Sequence, residues 1–284
     1  MSDRRRINGP GGSTSPPVYD EDIITKPVRN RNNNDSRPFY LKTGVTPSAS
    51  GSAYLEIDQS TKAGAFGMKF ICTVHGPRSL PRSAPFSPHM VLSTHVKYAP
   101  FATRQRKGYV RDATERDLSI HLETALRGAI IADRWPKSGI EVMVTIVEGD
   151  MTRQVTIDEG LDEWNNMSML SGCITVAAAG IADAGIDCVG VVTGGVAALV
   201  PSEGIDNKQE IVLDPVVSEH RTILAACCVA YLPARNEITN LWYKGSLCAT
   251  EASTYQFLLA KAVLASKAAG KAISLPLNDA ALLA

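Results

Sequence analysis

The sequence lacks most of the features that announce a functional class. It has no excess of either charge: Lys plus Arg and Asp plus Glu each number 29 in 284 residues. A whole-chain basic footprint for nucleic acid is therefore excluded, and any such contact must come from a local patch. No apolar run approaches the ~18 residues that a membrane helix needs. The opening Met1-Ser2-Asp3-Arg4-Arg5-Arg6 has no apolar core of a secretion signal. Cysteine is scarce, at six residues; Cys227 and Cys228 are adjacent and no Cys-x-x-Cys pair occurs, which argues against a disulfide scaffold or a zinc module. The five histidines show no metal spacing. Gly194-Gly195 belongs to no phosphate-loop or dinucleotide pattern. Asp214, Ser218 and His220 are hydrolase-type residues, but they share one short segment without a nucleophile elbow. Asn166-Met167-Ser168 fits a glycosylation sequon that nothing else in the chain supports. These absences lead us to expect a soluble, reduced, intracellular protein.

What is present is core material. Hydrophobic residues make up 44% and charged residues 20% of the chain, a globular composition long enough for about two domains or one large one. Residues 1–36 stand apart: Gly-Pro-Gly-Gly-Ser, Pro16-Pro17 and an Asn- and Arg-rich stretch hold too few apolar residues for a core, so a disordered tail is expected and removing residues 1–34 should leave the fold intact. Its Arg4-Arg5-Arg6 run reads as solvated charge rather than a binding motif.

From Arg37 onward, alternation and turn residues predict strands over 39–45, 52–57, 66–75 and 90–98. A helix is expected from Thr114, capped by Thr114 with Asp117 in the capping-box position. Leu118, Leu122, Ala125, Leu126 and Ala129 form its apolar face, and Trp135-Pro136 ends it. A strand over 140–147 precedes an acidic, polar insert at 148–166. Residues 167–184 are small and apolar on every side, which is the pattern of a buried helix closing at Gly185. Strands follow at 188–192, 197–201 and 211–213, then a pair at 225–232 and 237–244 turning at Pro233-Ala234-Arg235-Asn236. A last amphipathic helix is expected over 250–269, closed by Gly270. The order predicts a layered α+β domain compatible with two related βα halves.

Several segments carry a resemblance to a known family. They are Arg37-Pro38 with Thr43-Gly44-Val45, Gly51-Ser52-Ala53-Tyr54-Leu55-Glu56, and Cys72-Thr73-Val74-His75-Gly76-Pro77-Arg78. Glu115-Arg116-Asp117-Leu118, Ala182-Asp183-Ala184-Gly185-Ile186, Leu213-Asp214-Pro215 and Leu232-Pro233-Ala234-Arg235-Asn236-Glu237-Ile238-Thr239 follow in order. Each is weak alone; their order and spacing across most of the chain resemble the RNase PH family. The resemblance implies an RNase PH fold of two βα halves, with mixed sheets packed against helices, over residues 37–272 and a C-terminal tail at 273–284. It implies phosphorolytic 3′-to-5′ RNA exonucleases, or inactive relatives, assembled as six-membered rings around an RNA channel. Within the family, Gly76-Pro77-Arg78-Ser79-Leu80-Pro81-Arg82 and Tyr98-Ala99-Pro100-Phe101-Ala102 look most like the inactive, transport-linked ring subunits of the eukaryotic RNA exosome.

The chemistry can be checked against the residues. Phosphorolysis needs inorganic phosphate held by Arg and helix N-terminal amides, and a carboxylate pair at the scissile phosphate. The resemblance implies a Gly-Thr-Arg-like triplet at the start of the buried helix. Here it falls on Ser168-Met169-Leu170, with Leu170 at the arginine position. It implies two Asp residues six positions apart; Asp214 fills the first, read as a turn former before Pro215, and the second falls on His220. We therefore expect no catalytic residues, cofactor or metal. Arg78, Arg82, Arg104, Arg106, Lys107 and Arg116 remain as basic residues facing RNA or the acids of a ring neighbour.

The implied partners are other RNase PH-like ring subunits, an OB-type RNA-binding cap protein, threaded RNA and a hydrolytic nuclease at the channel exit, with no membrane. The implied location is the nucleus and nucleolus, and also the cytoplasm. The competing readings are a divergent phosphate-dependent 3′-exoribonuclease that borrows its missing Arg and Asp from a neighbour, and a free-standing RNA-binding module.

Overall fold

The computed structural model describes residues 29, 31–57, 67–81, 83–103, 106–149, 159–201, 209–216, 219–220, 222–245 and 252–283. Strands β1 (Phe39–Thr43), β2 (Gly51–Ile57) and β3 (Met68–Ser79) form an antiparallel meander with Leu41 opposite Leu55 and Leu55 opposite Phe70. Alternation decides the faces: Met68, Phe70, Cys72 and Val74 are buried, while Lys69, Ile71, Thr73 and His75 are half-exposed. Strand β4 (Val91–Tyr98) leads into helix α1 (Ala113–Arg127). After a 3₁₀ turn at Ala132–Arg134, β5 (Ser138–Glu148) inserts between β3 and β4, antiparallel to the first and parallel to the second. The sheet order is β1-β2-β3-β5-β4.

Helix α2 (Glu159–Asp183) crosses to the second half, where β6 (Thr193–Pro201), β7 (Gln209–Leu213), β8 (Ala225–Leu232) and β9 (Glu237–Gly245) make an antiparallel sheet in the order β7-β6-β8-β9. Helix α3 (Ala252–Leu283) ends the described chain. The layers follow from the contacts. Helix α2 lies between the two sheets, against β2 and β3 on one side and β6 and β8 on the other; α3 covers the far face of β6 and β8. An apolar stretch on every side is therefore what α2 requires, and every residue of β8 is buried. Gly194 and Gly195 let these layers close. A Cβ on Gly194 would lie 2.5 Å from Cα of Ser171 in α2, and one on Gly195 would lie 2.4 Å from the Ala262 carbonyl oxygen in α3.

Several expectations need correction. The cap of α1 is Asp112, with Glu115 completing the box through its Oε2, which accepts from the Asp112 N–H at 3.1 Å; the start lies one residue before Thr114. The helix ends at Arg127, well before Trp135-Pro136, because Gly128 takes the C-cap. No strand covers 188–192; Cys188 makes one isolated bridge to Ile130, and pairing begins at Thr193. The insert at 148–166 is not one element. Its first residue closes β5, residues 150–158 lie outside the described residues, and 159–166 are the first two turns of α2. The boundary expected at 272 falls inside α3, which continues through Gly270 and Pro276 because Ile273 is buried and Leu277 packs on the core.

Candidate functional site

Two of the segments on which the resemblance places the phosphorolytic residues lie side by side. Ser168 Oγ donates to the Pro215 carbonyl at 3.3 Å, which places the Ser168-Met169-Leu170 triplet beside the segment that follows β7. The triplet does not stand at the start of a helix, as the sequence suggested. It occupies the third turn of α2, and Leu170 is 0% exposed. Backbone N–H groups in a third turn donate to carbonyls four residues back. They are not the free amides that hold an anion at a helix N-terminus.

Asp214 is committed to structure. It sits at φ +48, and its own N–H donates to the Val196 carbonyl at 3.0 Å. Its carboxylate accepts three hydrogen bonds from Arg37: the backbone N–H at 2.9 Å, Nε at 2.7 Å and Nη2 at 2.8 Å. Burial pushes this carboxyl up. The charge and hydrogen bonds of Arg37, helped by Arg31, outweigh burial and hold it at about 2.

The same loop takes two more arginines. Glu219, whose side chain is fully buried, pairs with Arg31 Nη1 at 2.7 Å and Arg29 Nη1 at 3.4 Å. Arg31 Nη2 also donates to the Asp214 carbonyl at 2.6 Å, Arg29 Nη2 to the Leu213 carbonyl at 3.0 Å, and the Leu213 N–H to the Asn33 carbonyl at 2.8 Å. Residues 29 and 31–36 are thus laid along the domain, which overturns the expectation that the tail runs solvated to residue 36. Removing residues 1–34 would take the Arg29 and Arg31 contacts away. Residues 1–28 lie outside the described residues. Sequence reading missed Arg29, Arg31, Arg37 and Glu219 as a group, because an Arg in an Asn-rich stretch shows no partner until the chain folds back.

The six basic candidates separate into three kinds. Arg82 and Arg104 lie outside the described residues. Arg78, at the end of β3, spends Nη2 on Glu141 Oε2 at 2.5 Å; Lys107 spends Nζ on Asp112 Oδ2 at 2.9 Å and lies 5.7 Å above the Tyr98 ring. Arg106 and Arg116 are exposed and form no ion pair among the described residues. Of the acids of this segment, Asp112 and Asp117 are exposed and Glu115 faces inward. Glu115, 1% exposed, accepts from the Tyr98 N–H at 2.9 Å.

Known proteins match this chain over most of its length. Residues 35–187 fit the family described as "3′ exoribonuclease family, domain 1". A Chaetomium thermophilum protein named exosome complex component MTR3 is 61% identical over 96% of this chain and 97% of its own. The human protein of that name is 31% identical over 88% and 85%. Exosome complex component Rrp41 of Pyrococcus abyssi is 29% identical over 79% and 78%. The crystal structure of rice Rrp46 superposes with a TM-score of 0.67 over 88% of this chain and 98% of that one, at 16% identity, and shows the shared fold. With the two-sheet architecture, the ordered motifs and these relatives in agreement, the chain belongs to the RNase PH family of 3′ exoribonucleases.

Proposed function

We propose that this protein is a non-catalytic structural subunit of a eukaryotic-type RNA exosome core. It closes a six-membered RNase PH-like ring, supports an OB-type cap protein on one face and lends basic side chains to the channel. One observation carries the reading: the position where the resemblance implies a phosphate-binding arginine is Leu170, fully buried in the third turn of α2. Neither a guanidinium nor free helix amides can be offered to phosphate from there. The neighbouring carboxylates support it. Asp214 is engaged three times by Arg37, and the second position of the pair is His220, whose imidazole is a poor substitute for a hard oxygen ligand.

Relatives named as exosome components support the assembly, with other ring subunits as neighbours and RNA as the threaded substrate. Hydrolysis then belongs to a separate nuclease at the channel exit, and the sites of action are the nucleus, the nucleolus and the cytoplasm. Among the basic residues, Arg106 and Arg116 have their charge available to RNA. Arg78, Arg82, Arg104 and Lys107 serve either RNA or a neighbour's acids.

The test is purified full-length protein, alone and in a ring where it is the only candidate active subunit, incubated with inorganic phosphate, Mg²⁺ and oligo(A). No nucleoside diphosphate should appear; its release would make the protein a divergent phosphorolytic enzyme. Native mass measurement of the co-expressed ring checks the structural half, with this chain expected at the same stoichiometry as its neighbours.

A further inference from the structure

We infer that the outer face of α3 is a docking site for this chain's own residues 18–24, whose apolar side chains cover it while their acids meet its lysines. Helix α3 buries Leu258, Ala262 and Ala265 against the second sheet. On the opposite side Phe257 is 56% exposed, Leu264 48% and Leu275 68%. At about 100° per residue these three, with exposed Ala268, fall within roughly 20° of one line along the helix, about 27 Å long. A solvated helix ordinarily carries polar residues there. The charges of α3 before Asp279 are Lys261, Lys267 and Lys271, which lie along the edges of the apolar line.

Position and reach name the occupant. Arg29 Nη2 donates to the Asn32 carbonyl at 3.0 Å and the Asp35 carbonyl at 3.3 Å, and from the same turn Asn34 Oδ1 accepts from Lys261 Nζ at 2.7 Å. The N-terminal segment therefore already touches α3 there. Residues 18–24 precede it, outside the described residues. An extended chain carries Ile24 as far as about 17 Å from Arg29, which is shorter than the apolar line. Val18, Tyr19, Ile23 and Ile24 gather much of the apolar content of residues 1–28, and Asp20, Glu21 and Asp22 are its acids apart from Asp3.

Charge and area both favour this occupant over a separate protein. An acidic, apolar segment complements a helix that carries lysines and no acid before Asp279. The line is one side chain wide, so it offers roughly 300 Å², whereas a stable contact between separate proteins buries about 800 Å² on each partner. A tethered segment needs far less, because a short linker holds it at an effective concentration in the millimolar range. Once covered, the face no longer offers an apolar stripe for self-association.

The experiment treats the full-length chain with a water-soluble carbodiimide, which joins a carboxylate to an amine without a spacer, and identifies the linked peptides by mass spectrometry. Asp20, Glu21 or Asp22 should be joined to Lys267 and Lys271 about tenfold more often than to the exposed Lys42 of β1. Phe257→Ser with Leu264→Ser keeps every charge and should remove most of that yield; an unchanged yield reduces the contact to a tethered meeting of charges and overturns docking. Lys267→Glu with Lys271→Glu should abolish the links to these two positions, and adding Asp20→Lys with Asp22→Lys should restore them with the partners exchanged. These α3 side chains are exposed, so the melting temperature should hold in every variant. In a mixture of isotope-labelled and unlabelled chains the links should stay within one chain; links between chains give the face to a second copy and refute the inference. The co-expressed ring should keep the links. Their loss on ring assembly gives the face to a neighbouring subunit, and that result, an even spread over exposed lysines or no links at all would each overturn the proposal.

Discussion

Replacing Arg37 with Met removes the guanidinium that holds Asp214 while keeping an apolar stem of similar length. Arg37 is 4% exposed and supplies three of the hydrogen bonds on that carboxylate, two of them from its side chain. The carboxyl stands at about 2 against an ordinary 3.8. At ~1.4 kcal/mol per pKa unit, the folded state favours the ionised form by about 2 kcal/mol. Truncating one partner of a buried pair also strands the other, for a total of about 3–5 kcal/mol. A protein of this size loses ~2–4 °C per kcal/mol, so the melting temperature at pH 7 should fall by roughly 10 °C.

The pH dependence follows from the sign of the shift. Because the folded carboxyl is depressed, its contribution is fully present above about pH 4 and is lost as pH falls toward 2. The gap between wild type and Arg37→Met should therefore close across that window. Thermal melts by circular dichroism from pH 7 down to the acid limit measure both effects. A drop below ~3 °C at pH 7, or a gap that does not change with pH, would refute the clasp as a source of stability.

The other predictions concern the same loop and the packed layers. Deleting residues 1–34 removes Arg29 and Arg31 from Glu219 and should lower the melting temperature by about 5 °C or more, measured by calorimetry. Leu170→Arg with His220→Asp should restore no phosphorolysis in a phosphate-dependent assay; it should instead reduce soluble yield, because the new guanidinium is aimed into a closed core. Gly195→Ala should destabilise by about 3 kcal/mol in urea titration, since the added methyl meets the backbone of α3 rather than a side chain that can move. Arg78→Glu should change stability by less than about 1 kcal/mol, because its pair with Glu141 is exposed, so any loss of ring assembly would reflect a neighbour.

The strands were readable because each buries one face or both, and the period of two survives in the residues themselves: Met68, Phe70, Cys72 and Val74, or Ile140, Val142, Val144 and Ile146. The apolar surround of 167–184 likewise announced a helix enclosed on all sides, and the order of motifs announced the family. Local pattern misled where packing outweighs propensity. Gly270 read as a helix end, yet α3 passes through it and through Pro276 because Ile273 and Leu277 have a core to enter. Residues 159–166 read as part of an acidic insert, yet they extend α2 and so move Leu170 from a helix start to a third turn, which is the difference between an anion site and a core position. The arginine clasp was invisible for a different reason. Arg29, Arg31 and Arg37 meet Asp214 and Glu219 across 177 to 190 residues of chain. A polar contact at that separation leaves no periodicity in the sequence, because its geometry exists only after the apolar layers have brought β7 and the N-terminal segment side by side.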